Sequence, residues 1–317
     1  VKGRLPDPPA LPLRREVCLV VLLVLAVALP TVIWPMGRDQ AIQAYSGWAF
    51  FDGAVPGRDV WDHKPPGTGY LYGVSQALFG HTQAAIRWFD LLWSMATALG
   101  LAALARRWFG GGAGLAAGAL WAWSYATVYD FWSSAQVDGF LVLPCLGALW
   151  LVEGGIRTRR PWQWCAAGAL IAQAFVIKYI VLSLGLALLA ALIAARGKTG
   201  VFRGVLVPLL WTFLGFAVGL APWVTGLAAA GGLGPVLDAQ RIMNAGYTML
   251  ALGDGTIPLI GAAGGGVTWF SLSHLPLLVF ALVGLPGLRR VSPPIAAIVV
   301  GWLLAAVIGW LGQMKFY

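Results

Sequence analysis

An all-α, multi-spanning membrane protein is the expected fold class, and three observations carry that expectation. The 317 residues are 59% hydrophobic and only 10% charged, against roughly 25% charged in a soluble domain. Apolar runs of about 17–25 residues recur along the chain, the length a helix needs to cross hydrocarbon. The basic residues sit in short clusters between those runs, where topology signals belong. The same clustering excludes a nucleic-acid groove as the meaning of the +9 net charge. Cys18, Cys145 and Cys165 all fall inside apolar runs and lack disulfide-framework or metal-ligand spacing, so they read as packing residues.

Taken in order, residues 1–16 are Pro-rich, end in Arg14-Arg15-Glu16 and read as a cytoplasmic tail. Residues 17–34 form the first span, retained as an anchor because no small-residue cleavage site closes the run. Residues 36–81 then form the first extracytoplasmic loop. Within it, residues 39–51 predict an amphipathic interfacial helix with Ala41, Tyr45, Trp48 and Ala49 on one face. Pro56-Gly57 breaks the chain, and Pro65-Pro66 starts a second helix, about residues 66–79, too short to span. Further spans are expected at 82–105, 112–129, 138–152, 161–177, 179–195, 205–222, 269–287 and 293–311. The Gly110–Gly114 run reads as a loop, and 223–268 as a second long extracytoplasmic segment.

Charge tests this registration. The inner segments hold 14 of the 21 basic residues and three of the 12 acids, Asp7, Glu16 and Glu153. The outer side holds the other seven basic residues and nine acids. Every inner loop is therefore net positive, as the positive-inside rule requires. Connections between spans are short, and no inverted repeat of broken helices is visible.

The polar residues concentrate in 38–90. Asp39 directly follows the first span. It reads either as a general base for an acceptor hydroxyl or as a cap on the interfacial helix. Lys64, in Asp62-His63-Lys64-Pro65-Pro66, reads either as a phosphate-binding ammonium beside a helix N-terminus or as a snorkelling partner of Asp62 or Asp59. Arg87 lies about two turns into a span and needs a partner: Asp39, Asp138, a ligand phosphate or its near neighbour Asp90. Asp130 and Asp138 flank the third outer turn, Asp138 being the better candidate. Lys178, Arg241 and Lys315 lie on the same side as Asp39 and suit phosphate neutralisation or lipid headgroups. His63 with Asp59 and Asp62 gives only a weak signal for a divalent ion, and no cofactor is expected. Trp48 and Trp61 could stack on a sugar.

In combination these residues resemble a known family. Asp39-Gln40 with Tyr45, Gly53-Ala54-Val55-Pro56, His63-Lys64-Pro65-Pro66, Leu78-Phe79-Gly80 and Arg87 resemble the first outer loop of membrane glycosyltransferases of the GT-C fold. The nearest branch is family 39, the protein O-mannosyltransferase-like group, with lipid A aminoarabinose transferases as relatives. Gln136-Val137-Asp138 and Gln313-Met314-Lys315 fall where that group tends to carry polar motifs. The resemblance covers about residue 10 to the end.

The resemblance implies a GT-C-type helical bundle with about nine transmembrane helices here and two interfacial helices in the first loop. It implies transfer of a sugar from a polyprenyl-phosphate donor to a lipid, glycan or protein hydroxyl, on the extracytoplasmic face of a bacterial inner membrane. Asp39 would be the base and Lys64 would hold the donor phosphate. Arg87 and Asp138 would shape the pocket, Lys315 would reach the phosphate, and His63, Lys178 and Arg241 would lie near. The family usually has Asp-Glu where this chain has Asp39-Gln40. Its members continue with further helices, so this chain is expected to be a piece of a longer protein. Two readings from other classes stand beside it: a flippase for a lipid-linked sugar, and a non-catalytic subunit of an envelope glycan assembly complex.

Overall fold

The structure is a computed structural model that describes residues 12–127, 131–132, 134–197, 200–253 and 275–312. Twelve α-helices occupy the described residues: α1 (Leu13–Ala28), α2 (Arg38–Phe51), α3 (Gly67–Phe79), α4 (Gln83–Phe109), α5 (Gly111–Thr127), α6 (Val137–Thr158), α7 (Pro161–Phe175), α8 (Leu184–Ala195), α9 (Val207–Ala229), α10 (Leu233–Gly253), α11 (Leu275–Gly284) and α12 (Pro293–Gly312). A 3-10 turn (Leu29–Ile33) extends α1, another (Tyr179–Ser183) leads into α8, and a π-helical turn (Phe202–Leu206) leads into α9. Among the described residues, the one β feature is an isolated bridge between Pro56 and Val60.

Among the described residues, four stretches are long and apolar enough to cross a membrane: Leu13–Ile33, Gln83–Phe109, Val137–Thr158 and Phe202–Ala229. The remaining apolar helices are shorter: α5 packs on α1 and α4, α7 on α6 and α9, and α8 on α12. The chain is an all-α polytopic membrane protein. Its outward surface agrees with that: Leu210 and Phe213 on α9 are 62% and 70% exposed, and hydrocarbon removes the penalty that water would impose on such a face.

Two apolar clusters hold the bundle. One joins α1, α4 and α5 through Val20, Val24, Leu91, Ala98, Ala102 and Ala122. The other runs through α6, α7, α8 and α12 and includes Phe140, Leu149, Trp164, Ile171, Leu188 and Ile298. Inside a membrane, close backbone approach replaces the hydrophobic drive between helices. Gly215 and Gly219 on α9 form a Gly-x-x-x-Gly face against α7: a Cβ on Gly219 would stand 2.9 Å from the Cα of Ala169. Gly168 on α7 meets the same seam, where a Cβ would lie 2.7 Å from the Phe216 nitrogen.

One end of the bundle is locked by ion pairs. Glu16 at the start of α1 pairs with Arg106 at the end of α4. Glu153 near the end of α6 pairs with Arg107 at 2.7 Å and with Arg157 at 3.4 Å, and Arg107 also lies 5.0 Å above the Trp150 ring. The opposite end carries α2, α3, the loop between them and the turn before α6.

Several expectations change. Gly111 onward is helix, with only Gly110 (φ +99°) breaking α4 from α5. The helix α9 passes through Pro222 to Ala229, because Trp223 keeps packing there against Tyr70 and Gln173. Much of 223–253 is therefore helical, as α9 and α10. On α2, Ala41, Tyr45 and Trp48 do share the exposed face, but Ala49 is buried. The buried face of α2 is polar and small instead: Gln40, Gln43, Ser46 and Gly47.

Candidate active site

The site is built on the first turn of α2. Gly37 is the N-cap in extended conformation, and its N–H donates to the Gln40 side-chain oxygen. Gln40 therefore does the capping that was one of the two readings of Asp39. This leaves the Asp39 carboxylate free to face outward at the positive end of the helix. Lys64 Nζ donates to Asp39 Oδ2 at 2.8 Å, and Arg38 Nε lies 3.8 Å from Oδ1. The expectation that Lys64 pairs with Asp62 or Asp59 is corrected: its ammonium reaches Asp39, 25 residues away. The Asp39 side chain is 40% exposed and that of Lys64 only 14%, so the carboxylate is accessible while the lysine is sheltered.

The loop that delivers Lys64 is tied down at each step. Gly57 (φ +78°) abuts the start of α10, where a Cβ would lie 2.7 Å from the Val236 nitrogen. Asp59 accepts from Arg58 and, at 2.8 Å, from the Val55 N–H, while Arg58 also donates to the Ala230 carbonyl at 2.9 Å. Asp62 accepts from the Gln43 amide on α2 and from the Lys64 backbone N–H at 3.0 Å, and lies 3.2 Å from His63 Nδ1. Gln240 on α10 donates to the His63 carbonyl. Then α3 begins: the Gly67 N–H donates to the Val176 carbonyl at 2.8 Å, where no side chain would fit.

Charge follows this geometry. Burial opposes ionisation of Asp39, but the Lys64 hydrogen bond and the Lys64, Arg38 and His63 charges outweigh it and hold the carboxyl below its ordinary value. Burial likewise works against Asp62, and His63 together with the Lys64 N–H brings it below the usual range. Arg58 and the Val55 N–H bring Asp59 down to about 2.

Behind Asp39 a buried polar network fixes the turn before α6. The Gln40 amide donates to the Phe131 and Ser134 carbonyls, each at 2.6 Å. Arg87, fully buried, donates to Ser134 Oγ at 2.6 Å, to the Pro35 carbonyl at 2.5 Å and to the Phe131 carbonyl at 3.0 Å. Tyr72 donates to the Ala135 carbonyl at 2.8 Å, and Tyr125 bonds Asp90 at 2.7 Å. Arg87 was expected to pair with Asp39, Asp138, Asp90 or a ligand. Among the described residues no carboxylate lies within 4 Å of it, and its partners are carbonyls and a hydroxyl. It braces the site from behind.

Asp138, on the first turn of α6, pairs with Lys178 at 2.7 Å. That pair lies two residues beyond the Val176 carbonyl that holds α3, so it borders the site through α3. Arg241 lies exposed on α10. Asp130, His274 and Lys315 lie outside the described residues. No group of three metal-ligating side chains occurs among the described residues.

Two spaces lie at this end of the bundle, and Lys64 lines one of them. The first is lined by Gln43, Ser46, Asp62, Lys64 and Gly69 and measures about 10 Å³, room for no more than a water. The second, about 310 Å³, is walled by Phe50, Tyr70, Trp223, Pro56 and Pro222, and shares Phe50 and Pro56 with the first. Gln40, Gln43, Tyr72 and Asp62 were not singled out for these roles from sequence. The signal available was the Gln40, Gln43, Ser46, Gly47 spacing, a polar stripe on one face of α2.

The sequence profile of the dolichyl-phosphate-mannose-protein mannosyltransferase family matches residues 63–225, just over half of the chain. The match takes in Lys64, Arg87, Asp138 and Lys178, and begins after Asp39. Comparison with curated proteins and with solved structures gave no significant match.

Proposed function

The chain belongs to the dolichyl-phosphate-mannose-protein mannosyltransferase family, a family of membrane glycosyltransferases, and from that premise we propose that it transfers a sugar from a polyprenyl-phosphate donor to an acceptor hydroxyl with Asp39 as general base. The observation that carries the proposal is the Asp39–Lys64 pair at 2.8 Å, poised on the first turn of α2 beside the start of α3. A base and a phosphate ligand are the two groups that displacement of a sugar from a phosphate requires. Asp39 takes the proton of the acceptor hydroxyl as its oxygen attacks the anomeric carbon. The bond from that carbon to the phosphate oxygen breaks, and the lipid phosphate leaves with the electron pair. Lys64 and the N-terminus of α3 stabilise the charge that develops there.

The remaining residues position these two. Asp62 fixes the Lys64 backbone, and Gln40 and Arg87 hold α2 against the turn before α6. The donor's lipid lies along the bundle and its phosphate at the α2–α3 end. The reaction is assigned to the extracytoplasmic face with the N-terminus cytoplasmic, a reading supported by the arginines that crowd the opposite end. The acceptor belongs to the lipid, glycan or protein hydroxyls of an envelope, and Lys178 with Asp138 and exposed Arg241 face it or the headgroups around it.

The test is a panel of polyprenyl-phosphate sugars given to membranes containing the protein, reading labelled product and donor consumption. Transfer with at least one donor supports the reading. Intact donor that moves across the bilayer without being consumed overturns it in favour of a flippase.

A further inference from the structure

We infer that Lys64 is a latch on Asp39: the donor's phosphate draws the ammonium away, and only then does the carboxylate act as a base toward the acceptor. This rests on the proposed transferase reading and adds an order of events to it, donor before acceptor.

The resting geometry is closed in two respects. Among the described residues the one hydrogen bond of Lys64 Nζ is to Asp39 Oδ2, at 2.8 Å. The space on the other side of Lys64, toward Asp62 and Gly69, is about 10 Å³ and cannot hold a phosphate. A phosphate therefore does not enter that space, and Lys64 meets it by turning its ammonium toward the N-terminus of α3. Its backbone is held by Asp62 at 3.0 Å, while its four-carbon stem leaves the ammonium free to swing. The N-terminus of α3 lies next to it, and the buried Thr68 hydroxyl there has no partner among the described residues. The Arg38 guanidinium stays 3.8 Å from Asp39, which keeps the carboxylate ionised when the latch opens.

Chemistry follows from the swing. The charges facing Asp39 are Lys64 and His63 from the loop and Arg38 from its own helix. Moving the closest cation onto the donor's phosphodiester anion weakens the hold on the carboxylate, and a base of higher pKa takes a proton more readily. In the transfer step the acceptor O–H proton passes to Asp39 as the new C–O bond forms. The electron pair of the broken C–O bond leaves on the lipid phosphate, against Lys64. Release of that phosphate lets Lys64 return, and Asp39 yields its proton to water.

The experiment follows the Asp39 carboxyl by carbon NMR of the full chain labelled at Asp carboxyls, assigned by loss of the signal in Asp39→Asn. Farnesyl phosphate and inorganic phosphate are the probes, and the phosphorus spectrum reports whether each binds. The free chain should titrate below the ordinary 3.8. Bound farnesyl phosphate should raise that midpoint by about one pH unit or more, a tenfold change in proton affinity. Lys64→Gln should show the raised midpoint without ligand. If farnesyl phosphate binds and the midpoint stays put, the latch is overturned and the transferase reading survives. If neither phosphate binds, both fall. A shift with inorganic phosphate equal to that with the lipid makes the phosphate alone the key to the latch, and a shift with the lipid alone makes the chain necessary to deliver it; either outcome upholds it.

Discussion

Asp39, Lys64 and Asp62 divide the work at one corner of the molecule, and each has its own signature on substitution. Lys64→Gln removes the ammonium that meets the donor phosphate. It is expected to raise the donor KM at least tenfold while leaving the protein folded, as read by initial rates over a donor series. Asp62 acts differently, because its contacts are to the loop. Its folded pKa lies below the ordinary carboxylate value, so its contribution is fully present above about 3.8, its unfolded value, and is lost as the pH falls through the folded value. Hydrogen-exchange protection in residues 52–66, relative to the intrinsic rate at each pH, should therefore be constant through neutral pH and be lost only below pH about 4, with Asp62→Asn poorly protected at pH 7 as well. Protection lost between pH 7 and 5 would point to a histidine as the controlling group. Asp39 and Lys64 stood out individually as candidates in the sequence, because charged residues are few and their flanking motifs are distinct. The sequence did not show that they touch, since that contact depends on the path of the loop through Gly53, Gly57 and Pro56. Arg87 was misplaced for a related reason: a buried cation needs acceptors, and sequence cannot reveal that backbone carbonyls supply them.

At the scale of elements, the site depends on how closely α2 lies on α3. Gly47 makes that approach possible: a Cβ there would stand 2.6 Å from the Gly69 carbonyl and 2.9 Å from the carbonyl carbon of Tyr72. Gly47→Val should destabilise the protein by about 1–3 kcal/mol through overpacking, and lower transfer more than abundance because Asp39 sits on α2 and Lys64 in the loop that leads directly into α3. Gly185→Ala on α8 is the control, since nothing lies within 4 Å of its added carbon; it should melt as the wild type does or slightly higher. The boundaries of α2 and α3 were legible within a residue or two, because Pro65-Pro66 and Gly80 are strong punctuation. The continuation of α9 through Pro222 was not legible, because an aromatic partner from another helix decides it. The Gly215-x-x-x-Gly219 face was not singled out in the sequence, because the partner that gives the spacing its meaning, α7, comes from elsewhere in the chain.

The whole molecule has two unlike ends. At one, Glu16 and Glu153 are buried against arginines and join α1, α4 and α6. At the other, carboxylates pair with lysines in more open surroundings. The first end is scaffold. Glu16→Ala leaves Arg106 without its buried partner and should lower stability by up to about 3 kcal/mol, less by the share of Arg106 that water already screens. The rate per folded molecule should stay that of the wild type. The membrane character of the chain was legible from composition, as that is an average over many residues. The division of labour between the ends was not, since it rests on which charges meet. The central claim concerns the second end, and the most direct measurement is sugar transfer at saturating donor by wild-type and Asp39→Asn proteins, brought to equal abundance in the same membranes. The account predicts that Asp39→Asn consumes donor and forms product about 10²–10⁴-fold more slowly, with donor binding retained. Equal rates for the two proteins would contradict it.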